Sequence, residues 1–212
     1  MSMLLRAPEL HVITSGRNEL DQVLRMAEAA YSGGMDRLHI REKHRTAREI
    51  MQWAEALAEI IPRESIVIND RVDVAAAVQC CGAHLAYHSL PLKAARRVLA
   101  PGQKVGSSVH SMKEAVQAAE EGADYVLYGH IFASRSKPGL SPRGTDELTA
   151  VAEALSIPVI GLGGIRPDNA GQVLAAGCAG IAVLSGITDA RDAKQAACAY
   201  RETLDRWKGE TG

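Results

Sequence analysis

Short apolar runs rich in β-branched residues recur along the chain. Each is followed by a longer stretch in which apolar residues return every three or four positions. Ile66-Val67-Ile68, Val159-Ile160 and Ile181-Ala182-Val183-Leu184 are apolar almost throughout, the pattern of parallel strands covered by helices. Strands are expected at Leu10–Thr14, Arg37–Arg41, Ile66–Asn69, Ala83–Ala86, Lys104–Ser107, Tyr125–Gly129, Pro158–Gly161 and Gly180–Leu184. Leu20–Ala30, Ala47–Ile61, Met112–Glu121 and Asn169–Ala176 carry helical periodicity between them. Ser111, three residues before Glu114, has capping-box spacing, and Asp168 and Asp70 stand where they can cap the next helices. Gly122 and Gly177 lie just past helix ends, where a left-handed residue is often needed.

Eight such alternations with no linker or break in composition predict a (β/α)8 TIM barrel, an α/β fold, as a single domain over residues 1–212. A doubly wound open sheet is the alternative.

Composition narrows the class of partner. Hydrophobic and charged contents of 47% and 23% are those of a globular chain. A net charge of −1 offers no electrostatic footprint for nucleic acid or an anionic membrane. No run approaches the ~20 apolar residues of a membrane span, and Met1–Leu10 lacks the apolar core of a signal peptide. Cys80, Cys81, Cys178 and Cys198 show no metal-ligand spacing. Buried free thiols in a reducing compartment are expected, and with them a cytoplasmic location.

Reactive groups of such a barrel come from the C-terminal strand ends and the loops beyond them. After the seventh strand comes Gly161-Leu162-Gly163-Gly164-Ile165, and after the eighth Leu184-Ser185-Gly186. Glycines at both places let backbone N–H groups approach an anion, which predicts a phosphate site at Gly163, Gly164, Leu184, Ser185 and Gly186. His130 closes the sixth strand, and an imidazole there suits proton transfer near neutral pH. Lys137, on the loop that follows, can cover an anion. On the second strand, alternation sends His39, Arg41 and Lys43 to one side, making Arg41 and Lys43 a candidate anion clamp. Asn69 and Ser107 complete the candidate ligand contacts, whereas His11, His44, His84 and His88 read as structural or exposed.

Taken together, Arg41-Glu42-Lys43, Asn69-Asp70-Arg71-Val72-Asp73, Gly106-Ser107, the Ser136-Lys137 loop, Gly163-Gly164-Ile165 and Leu184-Ser185 resemble the thiamin phosphate synthase superfamily from about Leu10 to Trp207. The synthase couples a thiazole phosphate to a pyrimidine pyrophosphate with magnesium on two aspartates. Asp70 matches the first, and Ser89 stands in place of the second. Tyr128-Gly129-His130, where the synthase usually has proline, is similar to the thiazole tautomerase (TenI) branch, as are Lys137-Pro138-Gly139 and Arg143-Gly144. That resemblance implies an isomerase of thiamin biosynthesis. His130 would shift a proton to aromatise a carboxy-thiazole phosphate, with Arg41, Lys43 or Lys137 steadying the substrate. It implies no metal and no organic cofactor, a phosphorylated thiazole as the partner, and a homo-oligomer. The alternatives are the synthase reaction itself and a non-catalytic regulatory binder.

Overall fold

The computed structural model describes residues 7–134 and 139–210. Eight parallel strands close in sequence order: β1 (Glu9–Ile13), β2 (Arg37–Ile40), β3 (Ile66–Asn69), β4 (Gly82–Leu85), β5 (Lys104–Val109), β6 (Tyr125–Gly129), β7 (Val159–Leu162) and β8 (Gly180–Val183). Pairing of β1 with both β2 and β8 seals the barrel and excludes the open sheet. Around it run α1 (Leu20–Ser32), α2 (Ala47–Ala58), α3 (Val72–Val78), α4 (Leu92–Val98), α5 (Met112–Glu120), α6 (Gly144–Ala154), α7 (Ala170–Ala175), α8 (Ser185–Thr188) and α9 (Ala193–Glu210). Among the described residues no helix is long and apolar enough to cross a membrane.

The helix ends show which local signals act. Thr46 and Glu49 form a reciprocal capping box on α2. That helix stops at Ala58 rather than Ile61: the amides of Ile60 and Ile61 both turn back onto the Leu57 carbonyl, burying Ile61 ahead of Pro62. On α5 the Ser111 hydroxyl accepts from the Glu114 amide, but the Glu114 carboxylate takes the His110 amide, so only half of the expected box forms. Asp168 does not cap α7. It pairs with Arg166, while Asn169 accepts from the Arg166 amide and donates to the Gly164 carbonyl. Asp70 does not cap α3 either, for Arg71 occupies that position and the Asp70 carboxylate turns elsewhere. Gly122 and Gly177 adopt φ of 92° and 90°, as their places after helices require.

Strand alternation divides the core in two. Leu10, Val12, Leu38, Ile40, Ile66, Ile68, Val105 and Val126 face outward into the helix layer with Ile50, Trp53 and Leu57. Fully burying side chains of this size stabilises the fold by about 1.5–3 kcal/mol each. Inside the barrel an apolar patch of Ile13, Leu127, Ile160 and Ala182 shares the space with the rings of His11, His39, His84 and Tyr125. His11 Nδ1 lies 2.9 Å from His39 Nε2, and His11 Nε2 lies 3.0 Å from a Glu9 carboxylate oxygen. The two buried rings His11 and His84 are structural, as expected, while His44 is exposed. All four cysteines are free, and burial pushes Cys80 up to about 11 and Cys178 up to about 12, the behaviour of packed, unreactive thiols.

Candidate active site at the barrel mouth

The β7 side of the mouth is made of backbone. Gly163 and Gly164 take φ of 102° and 66°, a conformation that favours glycine. Side chains would also collide there: a Cβ on Gly163 would sit 2.3 Å from His130 Cβ, and one on Gly164 would sit 2.6 Å from the Ala133 carbonyl oxygen. The two glycines therefore let the β6–α6 and β7–α7 loops lie against each other. The Ile131 and Phe132 amides donate across this seam to the Leu162 and Gly163 carbonyls at 3.0 Å each.

Next to it, α8 starts directly from β8, so the Ser185 and Gly186 amides belong to a first turn and have no acceptor within the helix. Gly186 has a packing role as well, since a Cβ there would lie 2.2 Å from the Tyr200 hydroxyl. That hydroxyl donates to the Ile165 carbonyl at 3.0 Å, tying α9 to the β7–α7 loop. Leu184 is half-buried against the interior patch and precedes the turn. The expected phosphate residues Gly163, Gly164, Leu184, Ser185 and Gly186 are thus neighbours around one rim, as β7–β8 pairing demands.

His130 is 6% exposed, and its Nε2–H donates to the Leu140 carbonyl at 3.3 Å. The peptide before it, Gly129–His130, is cis. Lys137 and Ser136 lie outside the described residues.

The opposite side of the mouth is made of side chains. By alternation with Ile66 and Ile68, Asn69 faces inward at the tip of β3, and its buried Oδ1 makes no well-aligned hydrogen bond, though Asn69 lies close enough to the His39 ring to favour that ring's proton. His39 lies beneath it, with no exposed surface. Burial, with the adjacent rings of His11 and His84, holds His39 well below the usual imidazole range. Burial, with His11 next in effect, lowers His84 to about 3. Its Nε2 shares a 2.8 Å hydrogen bond with the Ser108 hydroxyl.

Ser108 corrects the expectation placed on Ser107. Val105 and Val109 face the helices, so Ser107 shares their side of β5 and Ser108 faces the interior. The apolar positions 105 and 109 carried that signal in the sequence. Arg41 follows His39 on the inward register. It is half-buried, and its guanidinium has no hydrogen-bond or ion-pair partner among the described residues, while Lys43 is exposed at the rim. Glu42, between them, is structural: it is 4% exposed, accepts from the Thr14 hydroxyl at 2.6 Å and pairs with Arg45, whose guanidinium lies over Trp53.

Asp70 meets Ser89, the residue that the resemblance pairs with it, and also His88. Its backbone is left-handed, with φ of 63°. One carboxylate oxygen accepts from the Ser89 hydroxyl, and the other lies 3.3 Å from His88 Nε2. Ser89 is fixed in turn by the Ala86 amide, which donates to its oxygen at 2.7 Å. The magnesium site implied by the resemblance needs two carboxylates here. A single carboxylate engaged on both oxygens, a hydroxyl and an imidazole do not fit a small hard cation that takes oxygen ligands. Among the described residues no group of three His, Cys, Asp or Glu could hold a metal ion.

A closed parallel barrel with a glycine rim at β7–β8 and an Asn-Asp corner at β3 belongs to the class that works at its C-terminal strand ends. The family model described as thiamine monophosphate synthase matches residues 10–187, and the chain belongs to that family. It is 38% identical over 202 residues to a thiamine-phosphate synthase of Moorella thermoacetica, covering 94% of this chain and 96% of the relative. A thiamine-phosphate synthase of Chlorobium luteolum is 40% identical, with 90% of each chain covered. The solved thiamine phosphate pyrophosphorylase of Pyrococcus furiosus superposes with a TM-score of 0.83 at 32% identity, covering 96% of this chain and 98% of that one.

These relatives overturn the expectation of a tautomerase-type isomerase with His130 as its acid and base. Proteins 38% and 40% identical over most of the chain are named for a synthase, and a synthase is a transferase. The Tyr128-Gly129-His130 motif does not by itself define an isomerase. His130 also serves the seam itself, because its Cβ abuts Gly163 and its ring meets the Leu140 carbonyl.

Proposed function

We propose that the chain couples a thiazole phosphate to a pyrimidine pyrophosphate, the thiamin phosphate synthase reaction. The observation that carries this reading is the identity to thiamine-phosphate synthases along nearly the full length of both chains. The mouth has parts for two ligands. The rim amides of Gly164, Ser185 and Gly186 suit the thiazole phosphate, with positive partial charge directed at an anion. Asn69 offers a buried acceptor, only loosely engaged by His39, to an amino-substituted heterocycle. Arg41 and Lys43 lie where a pyrophosphate on the second substrate needs cationic neighbours.

Holding both heterocycles in one mouth converts a bimolecular coupling into an effectively unimolecular one, worth about 7–11 kcal/mol when the alignment is good. The chain's own contribution is therefore placement, exclusion of water and charge stabilisation of the departing pyrophosphate. Proton transfer is not a step that the site has to supply.

The test is the coupling reaction with both substrates, the product followed by chromatography, run in EDTA and in magnesium. Accumulation of thiamin phosphate by wild-type protein, with at least tenfold slower turnover in Asn69→Ala, is expected. No product in either buffer would remove the reading.

A further inference from the structure

We propose that this mouth takes its diphosphate-bearing ligand without a divalent cation, the Ser89–Asp70–His88 cluster filling the place that a cation would occupy. The coupling reading identifies the ligand as a diphosphate, but the cluster itself stands on geometry alone. Both carboxylate oxygens of Asp70 are engaged, one by the Ser89 hydroxyl and one by the His88 ring. The Ser89 oxygen already accepts from the Ala86 amide, so the arrangement joins Asp70, just after β3, to Ala86, His88 and Ser89 of the β4–α4 loop. The Asp70 amide donates to the His84 carbonyl at 2.9 Å, which fixes the corner.

A cation entering here would displace the Ser89 hydroxyl from Asp70 and meet the His88 ring. It would gain one carboxylate where its octahedral shell calls for more anionic oxygen. Asp73, in the first turn of α3, meets the Arg71 guanidinium through both carboxylate oxygens. Positive charge is supplied instead by the protein. Arg41 has no ion-pair partner among the described residues, and Lys43 is exposed at the same rim. Charge-assisted hydrogen bonds from such groups serve a diphosphate as a metal would, at fixed cost in desolvation.

The experiment titrates inorganic pyrophosphate into the full chain by calorimetry, in EDTA and again with magnesium in excess. Wild-type affinity is expected to agree within twofold between the two buffers. Ser89→Asp restores the second carboxylate, and its pyrophosphate affinity is expected to rise at least tenfold when magnesium is added. Ser89→Ala, which removes the hydroxyl without adding charge, should remain indifferent to magnesium, and thermal melts establish that each variant is folded.

A wild type that binds tenfold more tightly in magnesium, or binds nothing in EDTA, overturns the proposal. So does a folded Ser89→Asp protein that stays indifferent to the ion. The coupling assay in the same buffers keeps the two readings apart. Metal-free pyrophosphate binding without turnover leaves this inference standing and removes the coupling, whereas magnesium-dependent binding with turnover does the reverse.

Discussion

The two halves of the barrel use different chemistry at the same rim. The inward positions from β1 to β5 carry the barrel's polar side chains, His11, His39, Asn69, His84 and Ser108, beside the apolar Ile13. From β6 to β8 the inward positions above Tyr125 are Leu127, Ile160 and Ala182, and at the tips the side chains give way to Gly129, Gly163 and Gly164. The rim on that side is backbone, which under the proposed function is what the phosphate meets. The difference teaches that a fixed scaffold can offer an anion its amides on one side and a heterocycle its hydrogen-bonding groups on the other. It also predicts that the halves fail differently when altered.

The largest effect is expected on the backbone side. Gly163→Ala places a Cβ against His130 in a left-handed backbone, and strain plus overpacking should cost about 3 kcal/mol in denaturant unfolding. Phosphate affinity should fall with it.

Acid should break the polar side. His39 and His84 are held neutral by burial, His84 with its value lowered to about 3. The unfolded chain binds their protons near pH ~6.5, so stability is full above that value and is lost as pH falls from there toward about 3 for His84. Each such histidine contributes a slope of up to about 1.4 kcal/mol per pH unit. Urea midpoints from pH 7 to 4 measure it, and His84→Gln should flatten the curve.

A smaller effect separates two adjacent serines. Ser108→Ala removes the 2.8 Å bond to His84 and should cost about 1 kcal/mol, while Ser107→Ala on the outer face should leave stability nearly unchanged. Equal losses from the two would mean that the strand register assigned to β5 is wrong.

The barrel was legible in the sequence because strands buried on both faces are written as short continuous apolar runs. Ile66-Val67-Ile68 falls inside β3 and Val159-Ile160 begins β7. The glycine rim was legible for a related reason, since the fold rule names its position after the last two strands. The Asp70 corner was legible in part: the resemblance pairs Asp70 with Ser89, but nothing local brings His88 to it, because that residue comes from a different loop. Ser107 was taken for Ser108 because a hydroxyl pair at a strand end gives no face until the strand's length is known, and β5 runs on to Val109. The isomerase reading rested on Tyr128-Gly129-His130, on Lys137-Pro138-Gly139 and Arg143-Gly144, and on Ser89 in place of an aspartate, and identity spread over the whole chain outweighs them.

The division of labour between the halves is tested most directly by titrating inorganic phosphate into the 15N-labelled chain and following amide shifts. The account predicts that Gly164, Ser185 and Gly186 move together and saturate with one affinity, while Gly122 and Gly177, glycines of the same backbone type at helix ends, stay still. Shifts centred instead on Asp70 and Ser89, with the β7–β8 rim unmoved, would contradict it.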